Sequence, residues 1–142
     1  MDVKAAFLNG VINEEVYIEQ PEGFMIKNEN LYVCKLKKAL YGLKQAPRAW
    51  YERIDNYLIK LGYSKNEVDP NIYFKISNGD MIILVLYVDD LLIIGEDHLI
   101  AKCKQDLAAE FDMKDLGLLH YFLGLEVCQK EDYIFLSQGK YT

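Results

Sequence analysis

Asp89 and Asp90 are adjacent carboxylates set between Met81–Val88 and Leu91–Ile94, the most hydrophobic part of the chain. Burying one ionised carboxylate without a partner is costly, and two side by side also repel each other. A bound divalent cation offsets both penalties, because Mg²⁺ prefers hard oxygen ligands. The same pair also suits a solvated hairpin turn, since aspartate is a good turn former. Residue type alone leaves both readings open.

A second suggestive segment is basic. Lys35, Lys37, Lys38, Lys44, Arg48, Arg53 and Lys60 stand against only Glu52 and Asp55, a local balance of +5. The whole chain carries 22 acidic and 16 basic residues, a net −6, so the remainder is −11. The total argues against a simple cationic coat for nucleic acid. The local cluster, interleaved with Tyr41, Trp50 and Tyr51, has the composition of a phosphate-facing stripe. An ordinary solvated helix face explains it as well. Asp2, read alone, is a charge near a chain end.

Other chemistries find little support. The three cysteines, Cys34, Cys103 and Cys128, are far apart, and with His98 and His120 they form no zinc-ligand spacing. Their number and spacing fit a reduced, intracellular protein. Asp2 and Lys4 interrupt any secretory leader. The most apolar stretch, Met81–Ile94, is 14 residues long and carries two aspartates. A bilayer needs about 20 apolar residues, so no membrane partner is expected. Hydrophobic residues make up 51% of the 142, enough for a core without disulfide or metal staples.

The elements that must hold these residues read as follows. Glu14–Glu19 and Leu31–Leu36 have strand patterns. A helix starts at Ala46-Pro47, where proline suits the first turn. Trp50, Ile54, Tyr57, Leu58 and Leu61 give it one apolar stripe, and Gly62 is a left-handed stop. Asn71–Ser77 and Met81–Val88 flank Asn78-Gly79-Asp80, a strong hairpin turn. After Asp89-Asp90 the chain returns as Leu91–Ile94. A second helix spans Asp97–Phe111, burying Leu99, Ile100, Cys103, Leu107 and Phe111, with Asp97 favouring its N-terminal dipole. Tyr121–Val127 and Tyr133–Leu136 are further strands. The class is α+β: an antiparallel sheet with helices on one face, in one unit spanning 1–142.

Four blocks in order carry a resemblance. Asp2-Val3-Lys4-Ala5-Ala6-Phe7-Leu8-Asn9-Gly10, continued by Val16 to Phe24, resembles the first catalytic block of copia-type retrotransposon reverse transcriptases. Lys38 to Tyr51 is similar to their template-and-nucleotide block. Tyr87-Val88-Asp89-Asp90 matches the Tyr-x-Asp-Asp signature. Lys114 to Gly117 with Tyr121 to Val127 resembles the primer-gripping hairpin. Four residues alone are a weak signal; four ordered blocks over the whole chain are a strong one.

The resemblance implies a palm with part of the fingers and no thumb, in a single partial domain. It implies that Asp2, Asp89 and Asp90 are catalytic and hold two Mg²⁺ ions, or Mn²⁺, for nucleotidyl transfer to a primer 3′-hydroxyl. Val3, Lys4, Ala5, Ala6 and Phe7, with Tyr41, Gly42 and Lys44, would line the nucleotide, Phe7 screening the sugar 2′-position by bulk. Tyr87, Val88, Gln45, Pro47 and Arg48, with Leu123, Gly124 and Leu125, would meet primer and template. The implied partners are an RNA or DNA template-primer, deoxynucleoside triphosphates and the rest of a Pol polyprotein. The implied location is intracellular, in cytoplasmic virus-like particles or the nucleus.

With Met1 directly before Asp2, we expect the strand that anchors this carboxylate to be missing. Asp2 should then fray, and a sheet edge should lie open to another chain. A fragment weak or inactive by itself is the main expectation. The alternative is a non-catalytic remnant serving as a binding module.

Overall fold

The computed structural model describes residues 1–25 and 32–139. In chain order the strands and helices are β1 (Asp2–Val3), β2 (Tyr17–Glu19), β3 (Val33–Lys35), α1 (Ala46–Lys60), β4 (Ser64–Lys65), β5 (Ile72–Ser77), β6 (Asp80–Tyr87) and β7 (Asp90–Ile94). They continue with α2 (Asp97–Glu110), β8 (Met113–Lys114), β9 (Tyr121–Phe122), β10 (Leu125–Gln129) and β11 (Ile134–Ser137). A six-stranded sheet has the order β4-β5-β6-β7-β1-β8, and every pairing in it is antiparallel. β9–β11 form a three-stranded sheet and β2–β3 a two-stranded one.

The expected class holds: antiparallel sheets with two helices. Alternate residues of each strand face opposite sides. Val3, Tyr73, Ile82, Leu84, Leu86 and Leu91 join Trp50, Ile54 and Leu58 of α1 and Cys103, Leu107 and Phe111 of α2 in one buried cluster. Both helices therefore cover the same face. The predicted stripes account for this, except that Tyr57, Leu61, Leu99 and Ile100 are only half-buried. Gly62 ends α1 with φ +85°, as its position suggests.

Several boundaries differ from the sequence reading. The strand expected at Glu14–Glu19 begins only at Tyr17, and that expected at Leu31–Leu36 is confined to Val33–Lys35; Leu31 lies outside the described residues. Tyr121–Val127 is broken at Leu123-Gly124, whose φ values of +50° and +83° make a tight turn between β9 and β10. Asn78-Gly79 links β5 to β6 as expected, with Asp80 already in the strand.

The largest correction concerns β1. Asp2 does not fray. It pairs with Asp90 of β7 on one side and Lys114 of β8 on the other. Met1 adds two bonds, its amine donating to Leu91 O at 2.7 Å and its carbonyl accepting from Leu91 N–H at 2.8 Å. The edges of this sheet are β4 and β8, so the open edge expected beside Asp2 is absent.

Candidate active site

Pairing places Tyr87, Asp90, Asp2 and Lys114 in one row across β6, β7, β1 and β8. Their strand neighbours Leu86, Leu91, Val3 and Met113 pack into the helix-side core. The row therefore points to the opposite face. Two carboxylates distant in sequence become cross-strand neighbours, a placement that brings Cβ atoms to within about 5.5 Å.

Asp89 belongs to the turn above this row. The turn comprises Val88 and Asp89 rather than Asp89 and Asp90, since Tyr87 pairs with Asp90. Its backbone is held from below: Val3 N–H donates to Asp89 O at 2.8 Å, and the Trp50 indole N–H donates to Val88 O at 2.6 Å. Burial, then the charges of Asp89 and Asp2, raise the Asp90 carboxyl above its ordinary pKa. No described lysine or arginine lies within salt-bridge distance of Asp2, Asp89 or Asp90. Only the Met1 ammonium offsets part of the repulsion felt by Asp90, and three hard oxygen ligands on adjoining backbone are the donor type that a divalent metal prefers. Among the described residues the side chains do not, however, gather into a ready group of three metal ligands.

A cavity of about 530 Å³ opens beside these carboxylates. Asp89, Asp90, Tyr87 and Val88 line one wall; Ala5, Ala6, Phe7, Leu8, Leu40 and Tyr41 line the other. The second wall is a 3₁₀ turn, Ala6–Asn9, entered through left-handed Ala5 and seated on α1. Gly10 makes that seat possible: a Cβ there would lie 2.7 Å from the Ala49 carbonyl carbon. Phe7 stacks on Tyr41, with centroids 5.7 Å apart and planes at 30°.

The structure thus brings Asp89, Asp90, Ala5, Ala6, Phe7, Tyr41, Tyr87 and Val88 together, with Asp2 in the adjoining row. Val3 is buried beneath. Other expected site residues stand apart. Lys4 bonds Asp112 at 3.0 Å. Gly42, Lys44, Gln45 and Pro47 lie at the entry to α1, outside the cavity lining, and Arg48 pairs with Glu14 at 2.8 Å. Leu123, Gly124 and Leu125 form the β9–β10 turn of the separate three-stranded sheet. The basic stripe is also less charged than its segment sum: Lys35, Arg48 and Arg53 pair with Glu15, Glu14 and Glu110 from outside the segment. Sequence reasoning placed Lys114 in the hairpin block and not beside Asp2, because its two-residue strand has no periodicity. It placed Trp50 in the apolar stripe of α1 and beside the basic stripe, but not as a donor to the turn that carries Asp89, although an indole carries a polar handle.

Three acidic residues thus stand at a strand pair and its turn, two of them lining a cavity. A family model described as reverse transcriptase (RNA-dependent DNA polymerase) matches residues 1–142, and the chain belongs to that family. It is 51% identical over 145 residues to the retrovirus-related Pol polyprotein from transposon TNT 1-94 of Nicotiana tabacum, covering 99% of this chain and 11% of the polyprotein. It is 43% identical over 142 residues to the corresponding polyprotein from transposon RE1 of Arabidopsis thaliana, covering 99% and 10%. A putative transposon Ty5-1 protein of Saccharomyces cerevisiae is 41% identical over 133 residues, covering 93% of this chain and 43% of that protein. The chain thus spans about a tenth of the length of the plant polyproteins. No solved structure matches it.

Proposed function

We propose that this chain is the palm portion, with part of the fingers, of a copia-type reverse transcriptase. The observation that supports it best is the shared row of Asp2 and Asp90 with Asp89 in the turn directly above it. In this reading Asp2, Asp89 and Asp90 hold two divalent cations, Mg²⁺ or Mn²⁺. Such ions, when bound, make the primer 3′-hydroxyl a better nucleophile and neutralise charge on the triphosphate.

The chain's own residues supply position. Phe7, braced by Tyr41, presents a flat apolar surface to the sugar and excludes a 2′-hydroxyl by bulk. Ala5 and Ala6 leave room for the nucleotide against the carboxylate wall. Tyr87 and Val88 meet the primer terminus. Lys44, with Gly42, Gln45, Pro47 and Arg48 at the start of α1, faces the template, and Leu123–Leu125 support the primer. Lys4, tied to Asp112, fixes the β1 exit. The partners are template-primer, deoxynucleoside triphosphates and the remaining polyprotein. No described helix is long and apolar enough to cross a membrane.

The test is a chimera in which residues 1–142 replace the aligned segment of the tobacco polyprotein's polymerase. Primer extension on an RNA template is expected, with Asp89→Asn lowering it at least a hundredfold, whereas the isolated chain makes no processive product. A folded chimera with no extension, beside an active tobacco parent, would contradict the reading.

A further inference from the structure

The turn that carries Asp89 has an unusual backbone. Val88 sits at φ +53°, in the left-handed region where a β-branched side chain is sterically disfavoured. Two-residue hairpin links ordinarily give such a position to glycine or asparagine, as Asn78 and Gly79 do in the neighbouring hairpin. Val88 therefore needs support from its surroundings to stay there.

That support is visible. Trp50, 1% exposed, reaches from the second turn of α1 and donates its indole N–H to the Val88 carbonyl at 2.6 Å. Its ring is fixed edge-on against Phe111 of α2 at 5.3 Å. The next carbonyl, Asp89 O, accepts from Val3 N–H. The backbone of Trp50 also carries the other cavity wall, because a Cβ on Gly10 would lie 2.8 Å from Trp50 N. Trp50 thus bonds the turn of one wall and lies against Gly10, at the end of the 3₁₀ turn that forms part of the other.

We infer that Trp50 is a positioning residue for the carboxylate pair: its indole hydrogen bond holds Val88 in the left-handed conformation and so sets where Asp89 and Asp90 project. This rests on the reading of those carboxylates as metal ligands. It goes beyond that reading by naming what fixes them. The indole never touches substrate, so its effect must pass through the turn.

Two measurements on the 142-residue chain test it: Mn²⁺ affinity by electron paramagnetic resonance, and the Val88 backbone coupling constant by NMR. Trp50→Phe keeps an aromatic ring in the core and removes the donor together with the pyrrole half of the indole. It should weaken Mn²⁺ binding about fivefold, the scale of one lost neutral hydrogen bond, and move the Val88 coupling toward an ordinary strand value. Val88→Gly removes the steric objection to positive φ. In that background Trp50→Phe should change Mn²⁺ affinity by less than about twofold, a non-additivity expected of coupled neighbours. A role in core packing alone predicts equal losses in both backgrounds and an unmoved coupling constant, and that result would overturn the inference. A wild-type chain that binds no Mn²⁺, but whose Val88 coupling still shifts on Trp50→Phe, would contradict the metal reading and uphold the hold of Trp50 on the turn.

Discussion

The six-stranded sheet and the three-stranded sheet are built from similar apolar residues yet bury them very differently. On the larger sheet one face is sealed by α1 and α2, and Ile54, Leu58, Tyr73, Leu84 and Leu107 are fully enclosed. On the smaller, Val127 is the one buried hydrophobic residue described, while Tyr121, Leu123, Ile134, Phe135 and Leu136 are exposed. The carboxylates ride on the first. The residues assigned to grip the primer ride on the second. A site that must hold ligands to about 0.5 Å belongs on a stiff, two-layer support. A segment with almost no core of its own takes its firmness from what it packs against.

Stability measurements can break that comparison. Leu107→Ala empties a fully enclosed position in the helix layer and should cost about 2–5 kcal/mol in urea unfolding. Ile134→Ala, at a position 66% exposed, should change stability by less than about 0.5 kcal/mol. Equal losses would mean that the smaller sheet shares the main core. Gly10→Ala should fall between, at about 1–3 kcal/mol, because the added methyl meets α1 backbone that cannot swing aside. Near-wild-type stability for Gly10→Ala would show that the 3₁₀ turn lifts off the helix freely.

A further small effect concerns the link between the two regions. Asp115 follows β8 and is held below its ordinary pKa by the Lys104 ammonium at 2.8 Å, with help from Gly117 N–H at 3.0 Å. A carboxyl with a lowered folded pKa stabilises the fold above its unfolded value, near 3.9, and loses that contribution as pH falls through the folded value. The pair is half-exposed, so its worth is below about 1 kcal/mol. The stability gap between wild type and Asp115→Asn, measured in urea at pH 6 and again at pH 2.5, should shrink toward zero at the lower pH. A gap that does not shrink would show that the Lys104–Asp115 pair contributes nothing through its charge.

Local signals made much of the larger region legible. Pro47 and the Trp50–Ile54–Leu58 stripe mark α1, Asn78-Gly79 marks the first hairpin, and Asp97 opens α2 where expected. What sequence could not show depends on distant pairing. β1 is two residues long and too short for any periodicity; its order comes from β7 and β8, about ninety and a hundred and ten residues away. The second hairpin turn was misplaced by one residue because Val88 gives no local sign of a positive φ. Its conformation is imposed by Trp50, 38 positions earlier. The charge balance of Lys35–Lys60 misled for the same reason, since Glu14, Glu15 and Glu110 reach it only in the folded chain.

The central claim is that Asp2, Asp89 and Asp90 form one cation-binding unit. It is tested most directly by titrating Mn²⁺ into the purified chain and into its Asp2→Asn and Asp89→Asn variants, with folding checked by circular dichroism. The account predicts saturable binding by the wild type that each substitution weakens at least tenfold. Folded variants that bind Mn²⁺ as tightly as the wild type would contradict it.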